Sequence, residues 1–252
     1  MSINLALILT LLTLVSGIVV AMDTLVWKTA EQDGRTKTAV MATVVEYSRS
    51  FFPVLIFVLV IRSFIFEPFR IPSGSMKPTL VVGDFIFVKK FSYGLRLPVT
   101  ETKIIETGLP ERGDVVVFRL PSDPSINYIK RVVGLPGDEV SYERQRLTIN
   151  GKTMDLQANG EIFERATVYV EDLDGRVHQT LIYDPGHSKQ DGVYIVPEGQ
   201  YFVMGDNRDR SKDSRYIGPI PEKYLVGEAV RVWMHFIPWE MPDWGRIGTK
   251  IE

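Results

Sequence analysis

Apolar residues fall in two regimes along this 252-residue chain: long unbroken runs before Glu67, then alternation and short clusters. Ile3–Met22 is uncharged over 20 residues. A helix of that length, rising about 1.5 Å per residue, spans about 30 Å of bilayer hydrocarbon. A removable signal peptide would open with a Lys/Arg-rich segment and carry a shorter apolar run, so residues 1–22 predict a retained membrane helix. Phe51–Phe66 predicts a second span of 16 residues, with Arg62 near enough to its end to snorkel. A buried core helix is the competing reading at that length. Residues 23–50 then form the loop between the helices, and residues 67–252 form a separate domain.

Past Glu67 the period changes to two. Strands are expected at Asp84–Lys89, Asp114–Arg119, Tyr128–Val133, Arg146–Ile149, Thr167–Val170, Gln179–Tyr183, Tyr201–Met204 and Val226–His235. Asn150-Gly151 is a hairpin signal. Short strands divided by turns predict a mainly β, antiparallel and partly closed sheet. The stretch from about Ser141 to Pro197 is more polar than its flanks and reads as an inserted smaller β subdomain, and Phe91–Pro110 as a long hairpin or loop. No repeat or low-complexity segment is present. Trp233 reads as core, whereas Trp239 and Trp244, in a Pro-rich tail, suit either a core or a bilayer interface.

Charge sets the orientation. Lys28, Arg35, Lys37 and Arg49 lie between the two apolar segments, so the positive-inside rule puts that loop in the cytoplasm and everything after Phe66 on the outer side. Arg62 and Arg70 pull the other way, but long domains translocate largely regardless of charge. The expected location is a bacterial cytoplasmic (inner) membrane, crossed more than once, with the large domain on the periplasmic side. A net charge of −2 leaves no footprint for nucleic acid. With no cysteine, thiol catalysis, disulfides and Cys-ligated zinc are excluded.

The candidate chemistry begins at Pro72-Ser73-Gly74-Ser75-Met76-Lys77-Pro78-Thr79-Leu80, a run poor in helix formers just beyond the second apolar segment. Its bland reading is a Ser/Gly/Pro turn. His178, His187 and His235 have no metal-ligand spacing. A Ser-His-Asp triad stays open, although no GxSxG elbow recommends it. An SxxK pair is absent, because Lys77 stands two residues after Ser75. Lysine becomes a base only when neutral, and burial among apolar residues lowers its pKa. Lys130, flanked by Tyr128, Ile129, Val132 and Val133, fits that need better than Lys89 and Lys90. Alternation alone would point Lys130 outward. The polar run Gly205–Arg215 reads either as a surface loop or as a hydrogen-bonded platform.

Taken in order, Pro72–Leu80, Gly83-Asp84, Gly113–Phe118, Tyr128–Asp138 and Gly205–Arg215 resemble the blocks of type I signal peptidase, the membrane-bound leader peptidase of bacteria. The resemblance implies a serine endopeptidase that removes signal peptides from secreted preproteins at the bilayer surface, near the secretion translocon, without metal or other cofactor. It implies Ser75 as nucleophile, Lys130 as general base and Ser73 as an oxyanion donor. Ser211 would orient the Lys130 amine, braced by Asp213 and Arg215. Phe69, Ile71, Pro72, Met76, Leu80, Tyr128 and Ile129 would line shallow pockets for small side chains of the Ala-x-Ala type.

Overall fold

The computed structural model describes residues 5–27, 38–97, 100, 102–183 and 190–252. Among these residues, two long helices, α1 (Leu5–Met22) and α2 (Ala39–Val60), lead into sixteen strands. The strands are β1 (Phe66–Arg70), β2 (Asp84–Lys89), β3 (Leu95–Arg96), β4 (Lys103–Ile105), β5 (Val115–Leu120) and β6 (Asp123–Gly134). Next come β7 (Glu139–Glu143), β8 (Arg146–Ile149), β9 (Lys152–Thr153), β10 (Asp155–Phe163), β11 (Ala166–Leu173) and β12 (Arg176–Ile182). The last are β13 (Gly192–Ile195), β14 (Gln200–Met204), β15 (Ile220–Pro221) and β16 (Leu225–His235). The chain divides into two compact units: the described residues up to Phe66 with Gly94–Glu106, and Glu67–Tyr93 with Thr107–Glu252.

In the helical unit, α1 packs against α2, with the Phe52 ring lying where a Cβ on Gly17 would stand. Asp23, buried at the end of α1, pairs with Arg49 of α2. Both helices run on through a π-helical turn, so the apolar spans are Leu7–Trp27 and Ala39–Ile65, each long enough to cross a membrane. The second helix thus begins at Ala39, not at Phe51, and residues 39–50 are helical rather than loop. Sequence patterning missed this because Glu46, Ser48 and Arg49 break the apolar run and Pro53 looks like a helix start. Thr38 is the actual N-cap, its hydroxyl accepting from the Met41 N–H at 3.3 Å. Lys28, Arg35 and Lys37, three of the charges on which the expected orientation rests, lie outside the described residues. The strands β3 and β4 pair as a small hairpin within Phe91–Pro110.

The second unit is built on a seven-stranded sheet in the order β1-β2-β16-β5-β6-β14-β15. Val115 to Phe118 are all buried, and their alternation divides them between two cores. Val115 and Val117 pack with Ile86, Val88 and Val232, while Val116 and Phe118 pack with Val132 and Tyr201. The central strands are therefore covered on both faces, which explains why β5 reads as an unbroken apolar run rather than an alternating one. Residues 139–195 add a four-stranded sheet, β13-β7-β8-β9, and a three-stranded one, β10-β11-β12. Asn150 and Gly151 take φ of 50° and 77° at the β8–β9 turn, the left-handed backbone of a tight hairpin.

Candidate active site

Ser75 sits on the turn between β1 and β2. Hydrogen bonds from Ile71 N to Asp84 O (2.8 Å) and from Gly83 N to Ile71 O (3.1 Å) close the turn at its base. Met76 and Leu80 are 0% exposed and plug its inner side into the core beside Ile86 and Val88. Asn207 holds the outer side, its backbone N–H donating to Ser75 O at 3.1 Å and its Nδ2 to Gly74 O at 2.9 Å. Both carbonyls are thereby tied back, and among the described residues the Ser75 N–H has no protein acceptor. The Ser73 and Ser75 hydroxyls are 3.4 Å apart, and Ser73 is exposed.

Lys130 approaches from β6, where it pairs with Val116 of β5. Its Nζ donates to Ser75 Oγ at 2.7 Å and to Ile129 O at 2.7 Å, and lies 5.3 Å from the centre of the Tyr128 ring. Because β6 is covered on both faces, Lys130 is only 3% exposed, contrary to what alternation alone suggests. Burial brings its pKa down to about 8, against the opposing pull of Asp213 and Asp206. About a tenth of the amine is then neutral at pH 7, compared with roughly one side chain in a few thousand in water.

Gly205–Arg215 closes the site from behind. A Cβ on Gly205 would run into the Ser211 side chain and the Ser75 carbonyl, so glycine alone permits this approach. Asp213 accepts from Gly205 N (2.9 Å) and from Arg215 Nε and Nη2 (both 2.8 Å). Burial would raise the Asp213 carboxyl, yet Arg215 and the Gly205 N–H hold it below the usual carboxylate range. Asp206 likewise stays low despite burial, because Arg131 grips both its oxygens and Thr79 donates to it at 2.6 Å. Arg208 reaches the other way, into a buried two-point pair with Glu171 of β11.

One expected contact is not made. Ser211 Oγ is buried without a well-formed hydrogen bond, and Lys130 directs its donors to Ser75 and Ile129 instead. Ser211 is packed on Gly205 and lies beside Asp213, whose carboxyl it helps to lower. Of the residues expected to line a pocket, Met76 and Leu80 have no exposed surface and Ile71 has almost none, so in this structure they belong to the core. Phe69, Pro72 and Tyr128 offer surface, and Ile129 lies at its edge.

The two described histidines are engaged elsewhere. His235 Nδ1 lies 2.9 Å from Asp84, and His178 is buried with Nε2 3.3 Å from Glu171; His187 lies outside the described residues. Sequence reading assigned no role to Thr79, Arg131, Asp206 or Asn207. Their only signal was membership of the polar blocks, since the contacts that matter are far apart in the chain.

A family model described as "Signal peptidase, peptidase S26" matches residues 44–234. A signal peptidase I of Pseudomonas fluorescens is 52% identical over 81% of this chain and 78% of its own length. One from Pseudomonas aeruginosa is 50% identical over the same shares, and one from Buchnera aphidicola subsp. Acyrthosiphon pisum is 40% identical over 74% of each chain. A crystal structure of a signal peptidase I from Enterococcus faecalis superposes weakly, with a TM-score of 0.32 at 29% identity over 48% of this chain and 96% of that one. With the family model and the relatives each covering most of its length, the chain belongs to the signal peptidase I family of S26 peptidases.

Proposed function

We propose that this membrane-anchored peptidase removes signal peptides from exported preproteins by acyl transfer to Ser75, with Lys130 as general base. The observation that carries this reading is the 2.7 Å contact between a buried lysine amine and the Ser75 hydroxyl. Neutral Lys130 takes the Ser75 proton as Oγ attacks the scissile carbonyl. The Ser75 N–H and the Ser73 hydroxyl donate hydrogen bonds to the developing oxyanion, a donor of this kind being worth about 3–4 kcal/mol of barrier. Collapse breaks the C–N bond, and the Lys130 ammonium returns its proton to the leaving amine. A water, deprotonated by Lys130 in turn, hydrolyses the acyl ester and frees Ser75. The amine is itself the base, so the reaction calls for no metal or organic cofactor.

Phe69, Ile71, Pro72, Tyr128 and Ile129, over the buried Met76 and Leu80, favour small side chains before the scissile bond, as in Ala-x-Ala. The charges between the helices favour a cytoplasmic loop in the inner membrane and a periplasmic catalytic unit, close to where the translocon delivers its substrates. The exposed Trp239 and Trp244 suit contact with the bilayer interface. Incubation of a preprotein with the Ser75→Ala and Lys130→Ala variants tests the chemistry. Both are expected to leave the precursor intact, and full processing by either would overturn the dyad.

A further inference from the structure

The hairpin of β10 and β11, to which the mechanism gives no role, ends beside the nucleophile turn. Its tip, Glu164-Arg165, has φ of 48° and 71°, the left-handed backbone of a two-residue hairpin loop held here without glycine or asparagine. Glu164 receives the Lys77 ammonium at 2.7 and 2.9 Å, across 87 positions of sequence and two residues beyond Ser75. The Lys77 stem lies over Gly74, with Cε 3.2 Å from where a Cβ there would stand, and Nζ lies 5.8 Å from the centre of the Phe163 ring. Gly74, Lys77, Phe163 and Glu164 thus form one chain of contacts that starts at the residue before Ser75.

Two features distinguish this set of contacts from a plain brace. Lys77 is tucked in at 17% exposure, whereas Glu164 keeps 51% of its side chain in solvent, so the carboxylate stays available to a second cation. Ile162, just before the tip, is 78% exposed, so the end of the hairpin also holds an apolar side chain in solvent. Direction supplies the rest. If Ser75 is the nucleophile, the acyl half of a substrate lies along Phe69–Pro72 and Tyr128, which precede Ser75 or belong to β6. The segment after the scissile bond must then pass the other side of the Ser75 hydroxyl, and Lys77, two residues along the same turn, ties the hairpin tip close to that side.

We propose that the Lys77–Glu164 pair is the leaving-side specificity element of this peptidase, reading the charge of the first residues after the scissile bond. The ligand is a short extended peptide segment, and the inference rests on the proposed Ser75 peptidase function. Glu164 attracts a basic residue there and repels an acidic one, and Lys77 offsets that field by pairing with Glu164.

The test uses the full-length protein in detergent and peptides identical up to the scissile bond, with Asp, Ser or Lys at the second position after it. The readout is the ratio of kcat/KM for the Asp and Lys peptides, in which any change in the active fraction cancels. Glu164→Gln is expected to shift this ratio toward the Asp peptide, and Lys77→Met toward the Lys peptide. Each shift is expected to be about two- to fivefold, the reach of a half-exposed charge. Lys152→Gln, whose exposed partner Asp174 lies at the opposite end of β11, should keep the wild-type ratio. If all the peptides slow together in both tip variants and the ratio stays put, the pair is only a brace and the proposal falls. A wild-type protein that cuts none of the peptides would overturn the peptidase reading, and this inference with it.

Discussion

Arg131 holds Asp206 through Nε at 2.8 Å and Nη2 at 2.7 Å, with both side chains 1% exposed. Arg131 comes directly after Lys130 on β6, and the same Asp206 carboxylate takes the Thr79 hydroxyl, four residues past Ser75. A single buried carboxylate therefore joins the turn carrying Ser75 to the strand carrying Lys130. Asn207, the next residue, binds the Ser75 and Gly74 carbonyls and reinforces the same link.

Asp206→Asn leaves the Arg131 guanidinium buried without its counter-charge. Losing one partner of such a pair costs about 3–5 kcal/mol. Thr79→Val removes only one hydrogen bond to the carboxylate, about 1–3 kcal/mol. Thermal unfolding should rank the two in that order, with peptide cleavage falling in both. Equal, small changes in Tm would show that the pair does not hold the site together.

The rate should track the neutral Lys130 amine. With a pKa of about 8, lowered by burial, the neutral fraction falls about tenfold per pH unit below that value. A profile of kcat/KM against pH is expected to rise through pH 7 and level off above about 8. A flat profile between pH 5 and 9 would be incompatible with an amine base.

Stability should rise with pH as well, over a higher window. Folding moves the Lys130 pKa from its ordinary 10.5 down to about 8, so between these values the unfolded chain binds more protons than the folded one. The group's contribution therefore improves as pH rises through that window, and below it the buried ammonium costs about 3 kcal/mol. Lys130→Met is expected to abolish cleavage yet raise Tm at pH 7. Its advantage over the wild type should shrink as pH approaches 10.5.

Gly205→Ala tests the close approach behind the serine. The added methyl meets the Ser211 side chain and the Ser75 carbonyl, so the turn must shift. A displacement near 1 Å lowers turnover about 100-fold. Circular dichroism should still report the β fold while kcat falls, and a variant with wild-type kcat would show that the turn tolerates the move.

Much of the architecture was legible from local pattern. Period two and turn residues located β2, β5, β8, β14 and β16, because alternation and turn chemistry are properties of neighbours in sequence. Where pattern and burial conflict, reading failed: β10, β7 and β13 are short or polar and take their pairing from other strands. The extension of α2 back to Ala39 was hidden because Glu46 and Arg49 interrupt the apolar run, and only the facing Asp23 shows how Arg49 is accommodated.

By itself the sequence determined the two apolar segments, the β character of the chain beyond Glu67, and the ordered polar blocks with Ser75 and Lys130 as the residues to watch. The tertiary structure alone decided that Lys130 is buried, because β6 is covered on both faces, and that its amine meets Ser75. It also decided that Ser211 packs on Gly205 instead of bonding the amine. Asp206 became the link between turn and strand, and Lys77 met Glu164, by the same route. Hydrogen bonds and ion pairs act over about 3 Å. Which distant residues come within that reach is settled by strand pairing and core packing, and no local pattern records it.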